Sequence, residues 1–143
     1  MIGDFEPEAG IVLGSGLGGF ADRIDTLFSL SYADIPGFPR STVAGHDGRL
    51  IFGRVGTANV VAMKGRFHYY EGYTTAEVVL PVRVMRLLGV RRLFLSNAAG
   101  AVSPALRTGD LMAIDNHINF IPNPLIGPNP DELGVRFPDM KHP

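Results

Sequence analysis

The feature that most limits the possible folds is a strand, a loop and a helix that follow one another in the middle of the chain. An apolar run at residues 59–63 predicts the strand, and the loop covers residues 64–73. Thr74 and Glu77 have the spacing of a helix capping box, so we predict a helix over residues 74–88. A loop at the end of such a strand is where α/β proteins commonly carry functional side chains.

This loop carries side chains that suit an anionic ligand. It reads Lys-Gly-Arg-Phe-His-Tyr-Tyr-Glu-Gly-Tyr. Arg66 and His68 can both donate hydrogen bonds to an oxyanion, and Arg66 can do so in a bidentate manner. Tyr70 offers an apolar ring with a hydroxyl at its edge, which suits a sugar or a ring. The alternative interpretation is an ordinary packed turn in which Arg66 pairs with Glu71 on the surface.

A second candidate loop is rich in glycine. A short apolar run at residues 10–13 predicts a buried strand, and four glycines lie among the six residues 14–19. Such loops leave main-chain N–H groups free to bind an anion. The spacing Gly14-x-Gly16-x-x-Gly19 formally matches a dinucleotide-binding fingerprint, but only a short helix, at residues 20–24, is expected to follow it. The other interpretation is an inorganic phosphate site to which Ser15 adds a hydroxyl donor.

The remaining pattern predicts further strands, at residues 27–32, 49–55, 91–96 and 111–115. We predict a hairpin of the strands at 49–55 and 59–63, since only a short turn separates them. The strand at 91–96 is followed by Asn-Ala-Ala-Gly. These small residues indicate that the backbone there closely approaches either a ligand or a neighbouring helix.

Composition excludes several classes of function. The chain has 143 residues, which suits one domain, and its net charge of −1 argues against nucleic acid as the main partner. It has no cysteine, which excludes disulfides and cysteine-ligated zinc, and its aspartates lack a metal-binding spacing. The N-terminus lacks a signal-peptide pattern and no apolar run is long enough to span a membrane. A cytoplasmic protein is therefore expected.

The last part of the chain has a different character. Six of the eleven prolines lie in residues 122–143, and that segment shows no periodic pattern. We treat residues 1–143 as a single domain in which residues 122–143 form a functional loop, a linker or a cut end.

Four motifs together resemble those of a known enzyme family. They are Gly-Ser-Gly-Leu-Gly at residues 14–18, Ser-Thr-Val-Ala-Gly-His at 41–46, Gly-Arg-Phe-His-Tyr-Tyr-Glu-Gly-Tyr at 65–73 and Asn-Ala-Ala-Gly at 97–100. In these motifs, and over almost its whole length, the chain resembles the trimeric purine nucleoside phosphorylases that act on inosine and guanosine. The resemblance implies a homotrimer and an α/β fold with a mixed central sheet flanked by helices.

The resemblance also implies roles for individual residues. Those implied for phosphate binding are Ser15, His46, Arg66, Phe67, His68 and the main-chain N–H of Ala98. Tyr70 and His68 match ribose contacts, and Glu71 matches a carboxylate that orients the histidine or the phosphate. Phe137 matches an aromatic residue that covers the sugar bound by the adjacent subunit.

The implied reaction is attack of phosphate on C1′ of a purine ribo- or deoxyribonucleoside, which releases the base and leaves the sugar 1-phosphate. Phosphate is a co-substrate, and no cofactor or metal is implied. The family continues through a second half that holds the purine, and the sequence does not contain that half. We therefore expect the N-terminal half of a phosphorylase domain, with little or no activity alone and with its base preference undecided. The alternatives are a non-catalytic fragment and a dinucleotide-dependent oxidoreductase.

Overall fold

The computed structural model describes residue 3 and residues 5–39 and 48–137. These residues form a five-stranded sheet, one α-helix and four 3₁₀ helices. The strands are β1 (Ala9–Val12), β2 (Asp25–Ser31), β3 (Arg49–Val55), β4 (Ala58–Lys64) and β5 (Arg92–Leu95), and the α-helix is α1 (Thr75–Leu87). The 3₁₀ helices are Gly18–Arg23, Tyr32–Asp34, Tyr69–Glu71 and Asp131–Leu133.

The sheet is mixed, with the strand order β2-β3-β4-β1-β5. β3 pairs antiparallel with β2 and with β4, whereas β1 lies parallel to both β4 and β5. The predicted hairpin and the mixed α/β fold are thus confirmed, with α1 as the one α-helix in the described ranges. Because β1, β4 and β5 run in the same direction, the residues that follow them, 13–19, 65–73 and 96–100, lie at one end of the sheet. We call these three segments the carboxyl edge.

The helix α1 begins and ends where its capping residues predict. The Thr74 hydroxyl accepts a hydrogen bond from the N–H of Glu77 at 3.3 Å, and the Glu77 carboxylate accepts one from the N–H of Thr74 at 2.7 Å. After the helix, Gly89 has a φ of +102°, a conformation that glycine adopts most readily. Met85 is buried against the sheet. No described helix is long and apolar enough to cross a membrane.

Two apolar clusters hold the centre of the sheet. In β4, Val61 and Met63 belong to one cluster, while Val60 and Ala62 belong to the other. Successive side chains of a strand point to opposite faces, so the two clusters lie on opposite faces of the sheet. Packing on both faces fixes the central strands, and with them the carboxyl edge.

The prediction of a strand at residues 111–115 is wrong. Within the described part of the chain this segment has no strand partner, and the Leu111 side chain is 95% exposed. A strand needs a neighbour that pairs with its N–H and C=O groups, and residues 96–130 contain no helix or strand. Several large apolar side chains between residues 102 and 121, which we call the exposed apolar segment, are exposed. They are Val102, Leu111, Met112, Ile114, Ile118, Phe120 and Ile121. β5 lies at the edge of the sheet, and all its residues are exposed as well.

Candidate functional site

The candidate site lies at the carboxyl edge, where Ser96 joins the ends of three parallel strands. The Ser96 hydroxyl accepts a hydrogen bond from the N–H of Gly14, after β1, at 2.9 Å and donates to the Val12 carbonyl oxygen at 3.2 Å. The Ser96 carbonyl oxygen accepts a hydrogen bond from Nη1 of Arg66, after β4, at 2.8 Å. The glycine-rich loop and the Arg66 loop are therefore both fixed to the end of β5.

Gly14 permits this close approach because it has no side chain. A Cβ atom at this position would lie 2.3 Å from the Ser96 carbonyl oxygen and 2.9 Å from Cα of Asn97. Main-chain atoms cannot move aside as the end of a flexible side chain can. Any larger residue at position 14 would separate the ends of β1 and β5.

The glycine-rich loop turns tightly and then enters a short helix. The N–H of Leu17 donates to the Gly14 carbonyl oxygen at 3.1 Å, and Ser15 and Gly16 are exposed at the turn. The 3₁₀ helix that follows, Gly18–Arg23, has six residues, and only Ile24 separates it from β2. A dinucleotide-binding fingerprint opens a full helix of a βαβ unit. The geometry therefore favours a small anion over a dinucleotide.

Arg66, His68 and Glu71 form a connected set of hydrogen bonds. Arg66 Nε lies 2.8 Å from His68 Nε2, and because a guanidinium group can only donate, Nε2 is the acceptor. The ring proton of His68 is then on Nδ1, 2.5 Å from a Glu71 carboxylate oxygen. This set fixes both the tautomer and the direction of the imidazole. Arg66 is half-buried, unlike the surface arginine of the packed-turn alternative.

A single helical turn brings Glu71 back to His68. The 3₁₀ helix Tyr69–Glu71 follows His68 and ends at Gly72, whose φ is +95°. The N–H of Glu71 donates to the His68 carbonyl oxygen at 3.0 Å, and the Glu71 carboxylate accepts from the N–H of His68 at 3.0 Å. These reciprocal bonds have the form of a capping box, so the position of the carboxylate follows from local sequence.

Tyr70 lies against His68 on the solvent side. The two ring centroids are 4.6 Å apart and the ring planes are inclined by 23°. The Tyr70 side chain is 80% exposed. An exposed aromatic face with a hydroxyl at its end can cover a sugar ring bound beside His68.

The other predicted site residues have different surroundings. Phe67 is 5% exposed and packs in the core, so only its main chain can reach a ligand at the carboxyl edge. Ala98 is exposed in the segment after β5. Phe137 is 86% exposed, with the Arg136 guanidinium 5.7 Å from its ring centroid. His46 lies outside the described residues.

Ser96 is the contact residue that the sequence analysis missed. Its one signal was its position at the end of a predicted strand, directly before the small residues 97–100. Neither its hydrogen bond to Gly14 nor that to Arg66 could be inferred from spacing, because both partners lie at least 30 positions away.

Much of the carboxyl edge is exposed in the part of the chain that the structure describes. A cavity of about 380 Å³ lies between α1 and residues 124–136, and its lining includes no residue of the carboxyl edge. Among the described residues, no group of three or more His, Asp or Glu side chains could hold a metal ion.

Comparisons with known proteins agree on one family. The pattern of the Phosphorylase superfamily matches residues 8–143. The chain is 56% identical to Purine nucleoside phosphorylase 1 of Geobacillus stearothermophilus over 135 residues, which are 94% of this chain and 49% of that protein. It is 49% identical to the purine nucleoside phosphorylase of Bos taurus, again covering 94% of this chain and 48% of the relative.

Solved structures give the same result. The purine nucleoside phosphorylase of Schistosoma mansoni in complex with inosine is 44% identical, with a TM-score of 0.86, over 97% of this chain and 50% of that one. Isoform 2 from the same organism, in complex with cytosine and ribose-1-phosphate, is 50% identical with a TM-score of 0.84. The chain thus spans about half the length of the relatives that it matches.

Proposed function

Because the chain belongs to the phosphorylase superfamily, we propose that it forms the phosphate- and ribose-binding half of a purine nucleoside phosphorylase. The reaction is phosphorolysis of nucleosides such as inosine and guanosine to the free base and ribose 1-phosphate. The observation that carries the proposal is the junction of Gly14 and Arg66 on Ser96, which brings two anion-binding loops together.

The phosphate would be held between these two loops. Arg66 uses Nε and Nη1 in contacts with His68 and Ser96, and further guanidinium N–H groups remain for an anion. Ser15 and the main-chain N–H groups at the exposed turn of the glycine-rich loop supply neutral donors from the other side. His46 and the N–H of Ala98 are further proposed ligands, supported by the family resemblance.

The ribose would lie next to His68 and Tyr70. Tyr70 covers one face of the imidazole, and Glu71 holds the other nitrogen of the ring. A sugar placed over the bound phosphate would meet the exposed Tyr70 ring. We propose that Phe137 of an adjacent subunit covers the side of the sugar that faces away from Tyr70. This contact requires that the subunits assemble into the homotrimer.

The chemistry of the reaction suits these groups. The transition state of glycosidic cleavage carries positive charge on the ribose and negative charge on the leaving purine. A phosphate dianion beneath the ribose stabilises the positive charge and then forms the new bond at C1′. Catalysis would come mainly from position and electrostatics, with no cofactor or metal in the proposed reaction.

The departing purine needs a hydrogen-bond donor, and the family resemblance implies that the second half of the domain supplies it. Hydrogen-bond or general-acid help to a leaving group is typically worth ~10²–10⁴ in rate. Loss of the base pocket also removes binding energy that orients the nucleoside over the phosphate. We therefore propose that turnover needs a C-terminal half like that of the relatives, and that the assembled enzyme acts in the cytoplasm.

The proposal is tested with inosine and phosphate, by chromatographic detection of hypoxanthine and ribose 1-phosphate. The 143-residue chain is compared with the same chain extended by the C-terminal half of a relative, and the intact relative serves as the positive control. We expect phosphate-dependent turnover in the extended chain and little or none in the short chain. Full turnover by the short chain would show that the base site has been misplaced.

Two further results would contradict the proposal itself. One is a folded, extended chain that leaves inosine intact while the intact relative cleaves it. The other is saturable binding of reduced nicotinamide cofactor in a fluorescence titration, which would favour the oxidoreductase alternative.

A further inference from the structure

Tyr32 is a buried residue that no step of the proposed reaction uses. It begins the 3₁₀ helix Tyr32–Asp34, and its side chain is 2% exposed. Its ring packs against Phe38 at 5.4 Å and Phe67 at 5.1 Å between centroids. Phe67 stands between Arg66 and His68 in the sequence, so the ring of Tyr32 supports the underside of the loop that carries both.

The Tyr32 hydroxyl makes one specific polar contact in this apolar cluster. It donates to the carbonyl oxygen of Gly65 at 2.7 Å, and the bond is buried. Burial raises the pKa of the Tyr32 hydroxyl, so the group remains a neutral donor at physiological pH. The bond thus joins two segments that are 33 positions apart in the chain.

Gly65 is the point at which the chain turns from β4 into the loop. Its φ is +97°, and glycine is the residue with the widest choice of conformation. The carbonyl group of Gly65 and the N–H of Arg66 belong to the same planar peptide unit. A hydrogen bond that holds this carbonyl oxygen therefore sets the direction in which the main chain enters Arg66.

Tyr32 also contacts the residue that follows the segment with His46. The N–H of Tyr32 donates to the Gly48 carbonyl oxygen at 2.8 Å. A Cβ atom at Gly48 would lie 2.5 Å from Cδ2 of Tyr32, so the ring packs directly on the Gly48 backbone. Tyr32 thus holds main-chain positions beside two of the four segments that carry candidate phosphate ligands.

We propose that Tyr32 is a positioning residue for the phosphate site, and that it acts through its hydrogen bond to Gly65. This inference rests on the proposed function, since it assumes that Arg66 and His68 bind phosphate. The hydroxyl keeps the peptide unit before Arg66 in one orientation, so that Arg66 can reach the Ser96 carbonyl and His68 together. A phenylalanine ring would fill the same space, but without the hydroxyl nothing would hold the Gly65–Arg66 peptide unit in this orientation.

The test is calorimetric titration of inorganic phosphate into the unsubstituted chain and into Tyr32→Phe. The variant keeps the aromatic packing and removes only the hydroxyl. We expect about two- to tenfold weaker phosphate binding, the range set by the net contribution of one hydrogen bond. We also expect faster hydrogen exchange at the amides of Arg66 and His68, as measured by mass spectrometry or NMR.

Phe38→Leu is the matched control. It removes part of the ring packing around Tyr32 and leaves the hydroxyl bond to Gly65 in place. A stability loss without a change in phosphate affinity is expected for this variant. Equal phosphate affinity in Tyr32→Phe and the unsubstituted chain would overturn the inference alone, as would equal weakening in Phe38→Leu. Absence of phosphate binding in the unsubstituted chain would overturn the phosphate site as well.

Discussion

Arg66 donates a hydrogen bond from Nη1 to the main-chain carbonyl oxygen of Ser96 at 2.8 Å. The bond connects the loop after β4 with the end of β5, across the strand β1 that lies between them in the sheet. Ser96 in turn binds the N–H of Gly14, after β1, through its hydroxyl. The geometry of the proposed phosphate site therefore depends on a residue that is not itself a proposed ligand.

Removal of the Ser96 hydroxyl should lower stability. In Ser96→Ala the partly buried N–H of Gly14 loses its acceptor, and an unsatisfied buried donor costs about 1–3 kcal/mol. Ser96→Thr keeps a hydroxyl and should retain most of the stability. The measurement is the free energy of unfolding in urea. Ser103→Ala is the control, because the Ser103 hydroxyl accepts only an exposed hydrogen bond; equal losses in the two alanine variants would refute the role of Ser96.

The capping box of α1 predicts a dependence of stability on pH. Hydrogen bonds from the hydroxyl and the main-chain N–H of Thr74 lower the pKa of the Glu77 carboxyl. The contribution is therefore present above the pKa of the unfolded state, and it is lost in the acid range as pH falls through the lower pKa of the folded state. Melting temperatures of the chain and of Glu77→Gln should converge as the pH is lowered. A gap that stays constant across this range would contradict the linkage.

The same cap predicts a simple mutational effect at neutral pH. Thr74→Ala removes the hydroxyl that accepts from the N–H of Glu77, and loss of an N-cap costs about 1 kcal/mol. Thr74→Ser keeps a hydroxyl at this position and should retain most of the stability. Chemical denaturation followed by circular dichroism measures the difference, and an alanine variant as stable as the unsubstituted chain would exclude this cap as a stabilising element.

The exposed apolar segment predicts that the 143-residue chain binds a hydrophobic dye more strongly than its full-length relatives do. Leu111 and Phe120 are among the most exposed of these side chains. Contiguous exposed apolar surface is typical of an interface or of an aggregation site. We expect strong binding of a hydrophobic dye by the 143-residue chain, and weaker binding after Leu111→Ser combined with Phe120→Ser. Dye binding as low as that of an intact relative would show that this surface is covered.

Phe137 should affect nucleoside binding only in the assembled enzyme. Its ring is exposed and contacts the guanidinium of Arg136, so Phe137→Ala should leave the stability of the short chain unchanged. In the extended protein, assembled as the proposed trimer, the same change should raise the KM for inosine about two- to tenfold, as expected for loss of one aromatic contact. Phe137→Tyr is the control, because it keeps an aromatic ring and should leave the KM close to that of the unsubstituted protein. A purely monomeric extended protein with full activity would remove the proposed contact between subunits.

Local patterns predicted much of the fold. The hairpin of β3 and β4 follows from two predicted strands separated by a short turn, and α1 follows from the capping box of Thr74 and Glu77. These features depend on neighbours within a few positions, which is why the sequence alone sufficed.

Features that depend on distant partners were harder to predict. The apolar residues at 111–115 looked like a strand, but a strand forms only beside another strand, and this segment pairs with no strand in the described ranges. Ser96 carried no unusual local signal, because its role arises from partners on β1 and after β4. The same holds for Tyr32, whose hydroxyl partner is 33 positions away.

The measurement that tests the account most directly is a calorimetric titration of inorganic phosphate into the chain and into Arg66→Ala. Arg54→Ala is the control, since Arg54 pairs with Asn59 near the opposite end of β4. The account predicts saturable phosphate binding that Arg66→Ala weakens by about 1.5–3 kcal/mol, the value of a hydrogen bond to a charged group, and that Arg54→Ala leaves unchanged. Phosphate binding that is equal in all three proteins, or absent from the unsubstituted chain, would contradict the central claim that the carboxyl edge is a phosphate site.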